Sequence, residues 1–592
     1  GDLDAARKTG GLTPPRSPEA RAADDWSFLR RVSLDTIGTI PTAEHIKFFF
    51  AQPEATRRQA IIDKLLAEPG YADHWVSYWQ DVLAENPNIL NPTLNNTGPF
   101  RWWIHESFLD NKPFDQFVTE LILMEGSIRY GGPGGFSVAS QNDVPMAAKA
   151  HVIGQAFLGL EMKCARCHDA PYHEFLQRDL FSLAALLKRE PEKVPKTSSL
   201  NLDAFAVRGR EPLVKVTLKP GEPVTPTWPF EELVASVPDE LLRNPNDSRE
   251  RLAAFITSPS NHRFTQVIVN RVWQRLLGFG LVEPVDDWQD AKPSHPELLA
   301  WLEREFVTHN YDVKHLTRLI LNSRAYQGAR SYAFRRSEKE QDEPPKGGTT
   351  NSRRLTAEQL IDSLFVAAGK PFNVEEINID IDGGRKQDVS ISLGHARRAW
   401  QFTSMSNERD RPSLTLPAAQ TIVDVLESFG WRASRPDPIT VRTKETTVLQ
   451  PAMIANGIVA KRISQLSDDS AFTDLALTAK SPEGFIDAVT QRILTRPATA
   501  AERKLFGDLL RDGFESRIVP GEHPVRRSQP PRQTGVSWSN HLKGEANLRK
   551  QRLAEELAYG DPTTSRLNAD WRERAEDMIW SLINSPEFLI VP

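Results

Sequence analysis

Apolar residues recur along this chain mainly at helical spacing. From Asp25 to about Glu190 the pattern is helical, and Trp75, Tyr78, Trp79 and Val82 fall at i, i+3, i+4 and i+7, placing three large aromatic rings on one face. Such a stripe is usually core, and lining the edge of a cofactor is its rarer use. Pro113 opens another helix with Phe114, Phe117 and Leu121 turned inward and Gly126 as its stop. The run YGGPGGF, Tyr130 to Phe136, reads as a flexible loop, too irregular for a dinucleotide fingerprint. Met146 to Lys163 reads as a helix with Ile153, Phe157 and Leu160 packed inward, and Phe175 to Leu187 resumes the spacing.

Between Lys188 and Glu250 the composition shifts to Pro, Lys, Glu and Ser, with a short alternating stretch at Leu213 to Leu218. The pattern therefore divides into a polar tether (1–24), a helical domain (25–190), a Pro-rich linker with a short β element (191–250) and a second helical domain (251–592). In the last, helices are expected at Leu298 to Thr308, Lys314 to Ser323, Thr356 to Ala368 and Pro451 to Leu466, and another starts at the capping box Thr499-x-x-Glu502. A β insertion interrupts them: Ile377, Ile379 and Ile381 alternate, Asp382-Gly383-Gly384 turns, and Val389, Ile391 and Leu393 alternate. Asp380 and Asp382 lack the other ligands of a calcium loop, so a plain turn is expected there. Ile518 to Asn547, polar and Pro-rich, reads as an exposed loop. The fold class is mainly α: two helical domains with a small β element between them and a β-hairpin insertion in the second.

At 592 residues, with 39% hydrophobic and 26% charged, the chain has the composition of a folded globular protein with room for several cores. A formal net charge of −5 gives no reason to expect nucleic acid or an acidic membrane as partner. Apolar runs such as Leu158 to Met162 fall far short of the roughly 18–20 residues of a membrane span, so no transmembrane segment is expected.

Against this ordinary background one motif stands out. The only two cysteines lie in CARCH, Cys164 to His168. This Cys-x-x-Cys-His is the attachment signature of haem c: each thiol adds to a porphyrin vinyl group and the adjacent histidine, His168, ligates the iron. Two other readings use the same residues. One is a disulfide between Cys164 and Cys167. The other is zinc held by Cys164, Cys167, His168 and His173, at a spacing tighter than that of ordinary fingers. Covalent haem attachment in bacteria follows export, so the haem reading implies a periplasmic or extracellular protein whose signal peptide was removed before Gly1. For the sixth iron position the sequence offers Met146, His151, Met162, His173 and, more distantly, Tyr78, with Met146 and His151 favoured because they precede the motif on the same helix.

In the second half Asn270, Arg271, Asp286, Asp287 and His295 cluster, as do Asn407, Glu408, Arg409 and Asp410. Paired carboxylates near a histidine suit general acid–base work, but capping a helix or binding an arginine is the commoner use. The 14 tryptophans offer, where exposed, faces on which sugar rings stack.

Nearly end to end, the chain resembles the planctomycete-type cytochrome c family, in which a cytochrome domain containing CxxCHDxP precedes a domain of unknown function called PSD-one. The resemblance rests on FLRRVSLDTIGTIPT (Phe28 to Thr42), PFDQFV (Pro113 to Val118), FLGLEMKCARCHDAPY (Phe157 to Tyr172) and RDLFSLAAL (Arg178 to Leu186). In the second half it rests on VIVNRVWQRLLGFGLVEPVDDW (Val267 to Trp288), SHPELLAWL (Ser294 to Leu302), LILNSRAYQ (Leu319 to Gln327) and RRLTAEQLID (Arg353 to Asp362). It implies haem attachment at Cys164, Cys167 and His168, with Asp169 and Pro171 also matching. Ala170 departs from the histidine that relatives commonly carry before that proline. The family's frequent extra N-terminal cytochrome domain has no counterpart, which implies one haem.

The expectation is thus an exported single-haem c-type cytochrome for electron transfer or oxidoreduction, its C-terminal domain docking a redox partner protein or a substrate. The alternative is a non-haem, zinc-stabilised extracytoplasmic scaffold that binds polysaccharide or protein. A third reading, a haem-assisted or metal-assisted enzyme acting on complex carbohydrate, rests on the aromatic residues, the carboxylate pairs and the extracytoplasmic setting.

Overall fold

The computed structural model describes residues 23–85, 98–127, 132–139, 144–198, 214–328, 353–380, 390–404, 416–432, 435, 437–442, 445, 447–525 and 542–592. The fold is mainly α, with three two-stranded antiparallel ladders among the described residues. None of the described helices is long and apolar enough to cross a membrane.

Packing does not follow the linear blocks 25–190, 191–250 and 251–592. One compact unit contains the described residues of Trp75–Tyr326 and Ser434–Arg442; the other contains those of Pro14–His74, Gln327–Ala433 and Thr443–Pro592. The Pro-rich stretch therefore lies inside a unit, and the helix Asp25–Ile37 packs with the C-terminal half of the chain. The reason lies in the side chains. Leu34 and Ile40 share a core with Leu360, Ile361 and Leu364. The Gln359 amide donates to the Leu34 carbonyl at 2.8 Å, and the Arg30 guanidinium donates to the carbonyls of Ile493 at 3.1 Å and Phe588 at 2.8 Å.

The first unit is built on aromatic packing. Trp75, Tyr78, Trp79 and Val82 of the helix Gly70–Val82 are all buried, as the stripe requires. Trp75 stacks on Phe108 at 5.4 Å, Trp103 stacks on Phe117 at 4.7 Å, and Trp79 meets Phe114 at 5.1 Å and Phe157 at 6.1 Å. Each such pair adds about 0.5–1.5 kcal/mol beyond area burial. The helix Phe114–Leu123 ends at Met124, whose φ is 52°, two residues before the expected stop at Gly126. The described part of the glycine run is packed rather than a free loop. A Cβ on Gly134 would stand 2.7 Å from the Gly126 carbonyl oxygen, and one on Gly135 would stand 2.6 Å from Phe100 Cβ. Small residues are required here by close approach, not by flexibility.

The small β element also differs from its expected position. Glu192–Lys193 pairs antiparallel with Pro223–Val224, whereas Val214 to Leu218 forms no ladder because its backbone is taken up by side chains near the cysteine motif.

In the second unit the helix Ala357–Ala368 starts at a capping box between Thr356 and Gln359, and Ala500–Leu510 starts at the one between Thr499 and Glu502. The expected helix from Pro451 to Leu466 is two, Leu449–Asn456 and Ile458–Ser464, because the extended backbone of Gly457 breaks it. The hairpin insertion is present as Glu376–Asp380 paired antiparallel with Ser390–His395. Its turn, including Asp382, lies outside the described residues, as does the cluster Asn407 to Asp410. Of Ile518 to Asn547, residues 526–541 also lie outside them. The ends of that stretch are tied: Ile518 bridges to Leu567, and the helix Gly544–Ala558 begins before Asn547.

Candidate functional site

The chain enters the cysteine motif through a helix that stops short of it. Pro145–Ile153 is α-helical, Gly154–Leu158 widens into a π turn, and Gly159 ends it at φ 64°. Helix does not extend to Lys163 as the spacing suggested. Met162 folds back instead: it is fully buried, and a Cβ on Gly154 would lie 2.4 Å from its Cε. Met162 is thus core packing. The motif itself is a 3₁₀ turn, Cys164–Arg166, in which the Cys164 carbonyl accepts from the amides of Cys167 at 3.2 Å and His168 at 3.3 Å. Cys164 is exposed and Cys167 half-buried, and both are free thiols with no disulfide between them.

His168 is oriented by its own neighbour. Its Nδ1 lies 2.8 Å from the Asp169 carbonyl oxygen. A carbonyl can only accept, so Nδ1 carries a proton, and in the neutral tautomer this selects, Nε2 presents the lone pair. The turn that follows is held from beneath. Asp169 Oδ1 accepts from the Gln177 amide at 2.9 Å and from Thr217 Oγ1 at 2.8 Å, and the Asp169 amide donates to the Lys215 carbonyl at 2.8 Å. Gln177 Oε1 accepts in turn from the amides of Thr217 at 3.0 Å and Leu218 at 3.2 Å.

His151 lies beside the chain entering the motif. Glu161 Oε1 accepts from the Lys163 amide at 3.1 Å and stands 3.9 Å from His151 Nε2. His151 is buried, its Nδ1 has no hydrogen-bond partner, and burial pushes its pKa down to about 4, so it is neutral near neutral pH. Burial likewise raises the carboxyl of Glu161. Met146 is half-buried, five positions from His151 in the first turn of the same helix. Tyr78 packs edge-on against Trp75 and Trp79, with the Arg275 guanidinium 4.7 Å above its ring.

His173 is engaged elsewhere. Its Nε2 meets Asp287 Oδ2 at 2.8 Å, and its ring stacks on Phe175. Among the described residues, Cys164, Cys167, His168 and His173 do not form a close group of ligand atoms.

The carboxylates and amides clustered in the second half serve as scaffold. Asn270 Oδ1 accepts from the amides of Leu281 and Val282, and its Nδ2 donates to the Val282 carbonyl at 2.9 Å. Fully buried Arg271 donates to the carbonyls of Ala156 at 2.8 Å and Gln155 at 2.7 Å, pairs with Asp286 at 2.9 Å and bonds Thr440. His295 Nδ1 lies 3.1 Å from Ser294 Oγ.

Sequence reasoning missed the short segment Ser434–Arg442. Lys163, adjacent to Cys164, pairs with Asp437 at 2.8 Å; Gln155 donates to the Pro438 carbonyl at 3.4 Å; Arg435 and Arg442 both bind Asp81. No local pattern marks these residues, because their partners lie far away in the chain. Exposed tryptophan is scarce among the described residues. Among the described residues only Trp580 is exposed, at 41%, and its Nε1 donates to the Ala455 carbonyl at 2.8 Å.

The site is thus a Cys-x-x-Cys-His turn with free thiols in a mainly α chain. Residues 11–192 match the family model PSCyt2, described as a protein of unknown function (DUF1549), and residues 248–510 match PSD1, described as a protein of unknown function (DUF1553). The chain belongs to this planctomycete-type cytochrome c family, in which the PSCyt2 domain is followed by PSD1. Comparison with curated proteins and with solved structures gave no match.

Proposed function

We propose that Cys164, Cys167 and His168 carry one covalently attached haem c. On this reading the protein acts outside the cytoplasm in electron transfer or oxidoreduction, and the PSD1 part of the chain docks a redox partner or substrate. The observation that carries the reading is the pairing of His168 Nδ1 with the Asp169 carbonyl at 2.8 Å, beside two thiols that are free and not enclosed. The donor set fits the group: two reduced sulfurs leave one turn, and the adjacent imidazole has its ligating nitrogen unoccupied by that bond. Haem supplies one-electron chemistry at a potential set by its axial ligands and surroundings.

The chain's own residues do the positioning. The Asp169, Gln177 and Thr217 bonds hold the turn on which the thiols and His168 are presented. Besides His168, His151 or Met146 of the preceding helix would hold the iron, and we favour His151, since it is neutral and its buried Nδ1 lacks a partner. The zinc-stabilised scaffold is less well supported, because Cys164, Cys167, His168 and His173 do not bring their ligand atoms together among the described residues.

The test is expression with an export leader in a host that attaches haem c, followed by a pyridine haemochrome spectrum. One haem per chain is expected, lost in Cys164→Ala. Absence of haem after verified export would sink the proposal.

A further inference from the structure

A second set of metal-type side chains lies apart from the cysteine motif, at the corner between the helices Pro296–Thr308 and Val313–Leu321. Glu305 sits in the last turn of the first helix, and His309 follows it at i+4 as the capping residue, so both share one face. The backbone then reverses through Asn310 and Tyr311, both at φ 55°. Asp312 caps the second helix by accepting from the His315 amide at 2.8 Å. Tyr311 is buried, edge-on to Phe306 at 5.4 Å, and its amide donates to the Phe306 carbonyl at 2.8 Å. Apolar Val313, Leu316 and Ile320 bury the facing side of the second helix. The corner is therefore set by packing that involves none of the three polar side chains.

Those side chains converge. The rings of His309 and His315 stack at 3.7 Å with an interplanar angle of 16°. His309 Nδ1 lies 3.6 Å, and His315 Nε2 3.4 Å, from the same oxygen, Glu305 Oε2. These separations are long for hydrogen bonds and near the spacing of donors around one small ion, and one of the stacked rings must turn about its side-chain bonds to aim its lone pair at that ion. An ion bonded at about 2.0–2.1 Å keeps neighbouring donors about 3.3–3.4 Å apart. Glu305, His309 and His315 form the one group of three or more such residues whose ligand atoms lie within 4.8 Å of one another among the described residues.

We propose that Glu305, His309 and His315 bind a zinc-class divalent ion, with solvent in the fourth position. Two imidazoles and a carboxylate are donors that suit zinc and its first-row neighbours rather than magnesium or calcium. Three protein ligands with one open position is the composition of a zinc site accessible to small molecules rather than a closed structural one. His309 Nδ1 also lies 2.9 Å from the Glu305 carbonyl oxygen and 3.4 Å from Thr308 Oγ1. Facing a carbonyl, Nδ1 holds the proton there, and binding through this atom moves that proton to Nε2, so the imidazole stays neutral.

The experiment is equilibrium dialysis of the full chain against zinc ion, in a Cys164→Ala, Cys167→Ala background so that sulfur cannot contribute. One zinc per chain is expected, with only nitrogen and oxygen at about 2.0–2.1 Å by X-ray absorption. Adding His315→Ala or Glu305→Gln should weaken binding by at least about tenfold. If either added change alters the circular dichroism of the chain, His309→Gln, at an exposed position, takes its place. Zinc binding unchanged by these variants, or no binding in the parent, overturns the site.

Discussion

The Gly159 carbonyl accepts from the Trp288 amide at 2.9 Å, and the Trp288 indole fills the space beside Gly159, where an added Cβ would lie 2.6 Å from Cδ1. The contact joins the residue that ends the helix before the cysteine motif to the end of the most family-like stretch of the second half. With φ at 64°, Gly159 also occupies a conformation that other residues adopt at a cost. Gly159→Ala is therefore expected to destabilise the protein by about 2–3 kcal/mol, measured by urea unfolding. A change near zero would show that Trp288 can move aside freely.

Arg271 is expected to be costly to replace even though it performs no chemistry. Its guanidinium satisfies the carbonyls of Ala156 and Gln155 and pairs with Asp286. Arg271→Met takes this donor from both carbonyls and leaves Asp286 with only Thr440, a loss of about 3 kcal/mol. Arg271→Lys should recover little of it, because an ammonium cannot reproduce the planar fork. Full stability in the lysine variant would contradict this account.

With haem attached, His151→Ala should convert a low-spin absorption spectrum to a high-spin one, while Met146→Leu leaves it unchanged. The expectation follows from the unpartnered Nδ1 and the neutral state of His151. The reverse pattern would assign the sixth position to Met146.

Acid should weaken the second unit through Glu502. Arg496 binds Glu502 at 2.8 and 2.9 Å and Glu587 at 2.7 and 2.6 Å. Its hydrogen bond, ahead of the opposing effect of burial, pushes the Glu502 carboxyl down from 4.5 to about 2. The unfolded chain therefore takes up this proton at higher pH than the folded one. The stabilisation is complete above about pH 4.5 and is lost as pH falls towards 2. A shift of this size corresponds to about 3 kcal/mol, which solvent access reduces to about 1 kcal/mol. Urea melts should thus separate wild type from Glu502→Gln at neutral pH and bring them together near pH 2. A gap of equal size at both would refute the assignment.

Local chemistry was legible in the chain. The aromatic stripe from Trp75 to Val82, the capping box at Thr499 and the hairpin strands around Ile379 and Ile391 follow from period and capping, which depend on residues a few positions apart. The Cys-x-x-Cys-His motif was legible for the same reason. Periodicity reports which face of a helix is buried but not what buries it. Hence only the tertiary structure paired His173 with Asp287, set Asp437 beside Lys163 and gathered Leu34 into a core with Leu360. The same limit applies to Glu305, His309 and His315. An i, i+4 carboxylate–histidine pair with a third histidine six positions on was visible, but only the left-handed turn at Asn310 and Tyr311 brings His315 back onto His309.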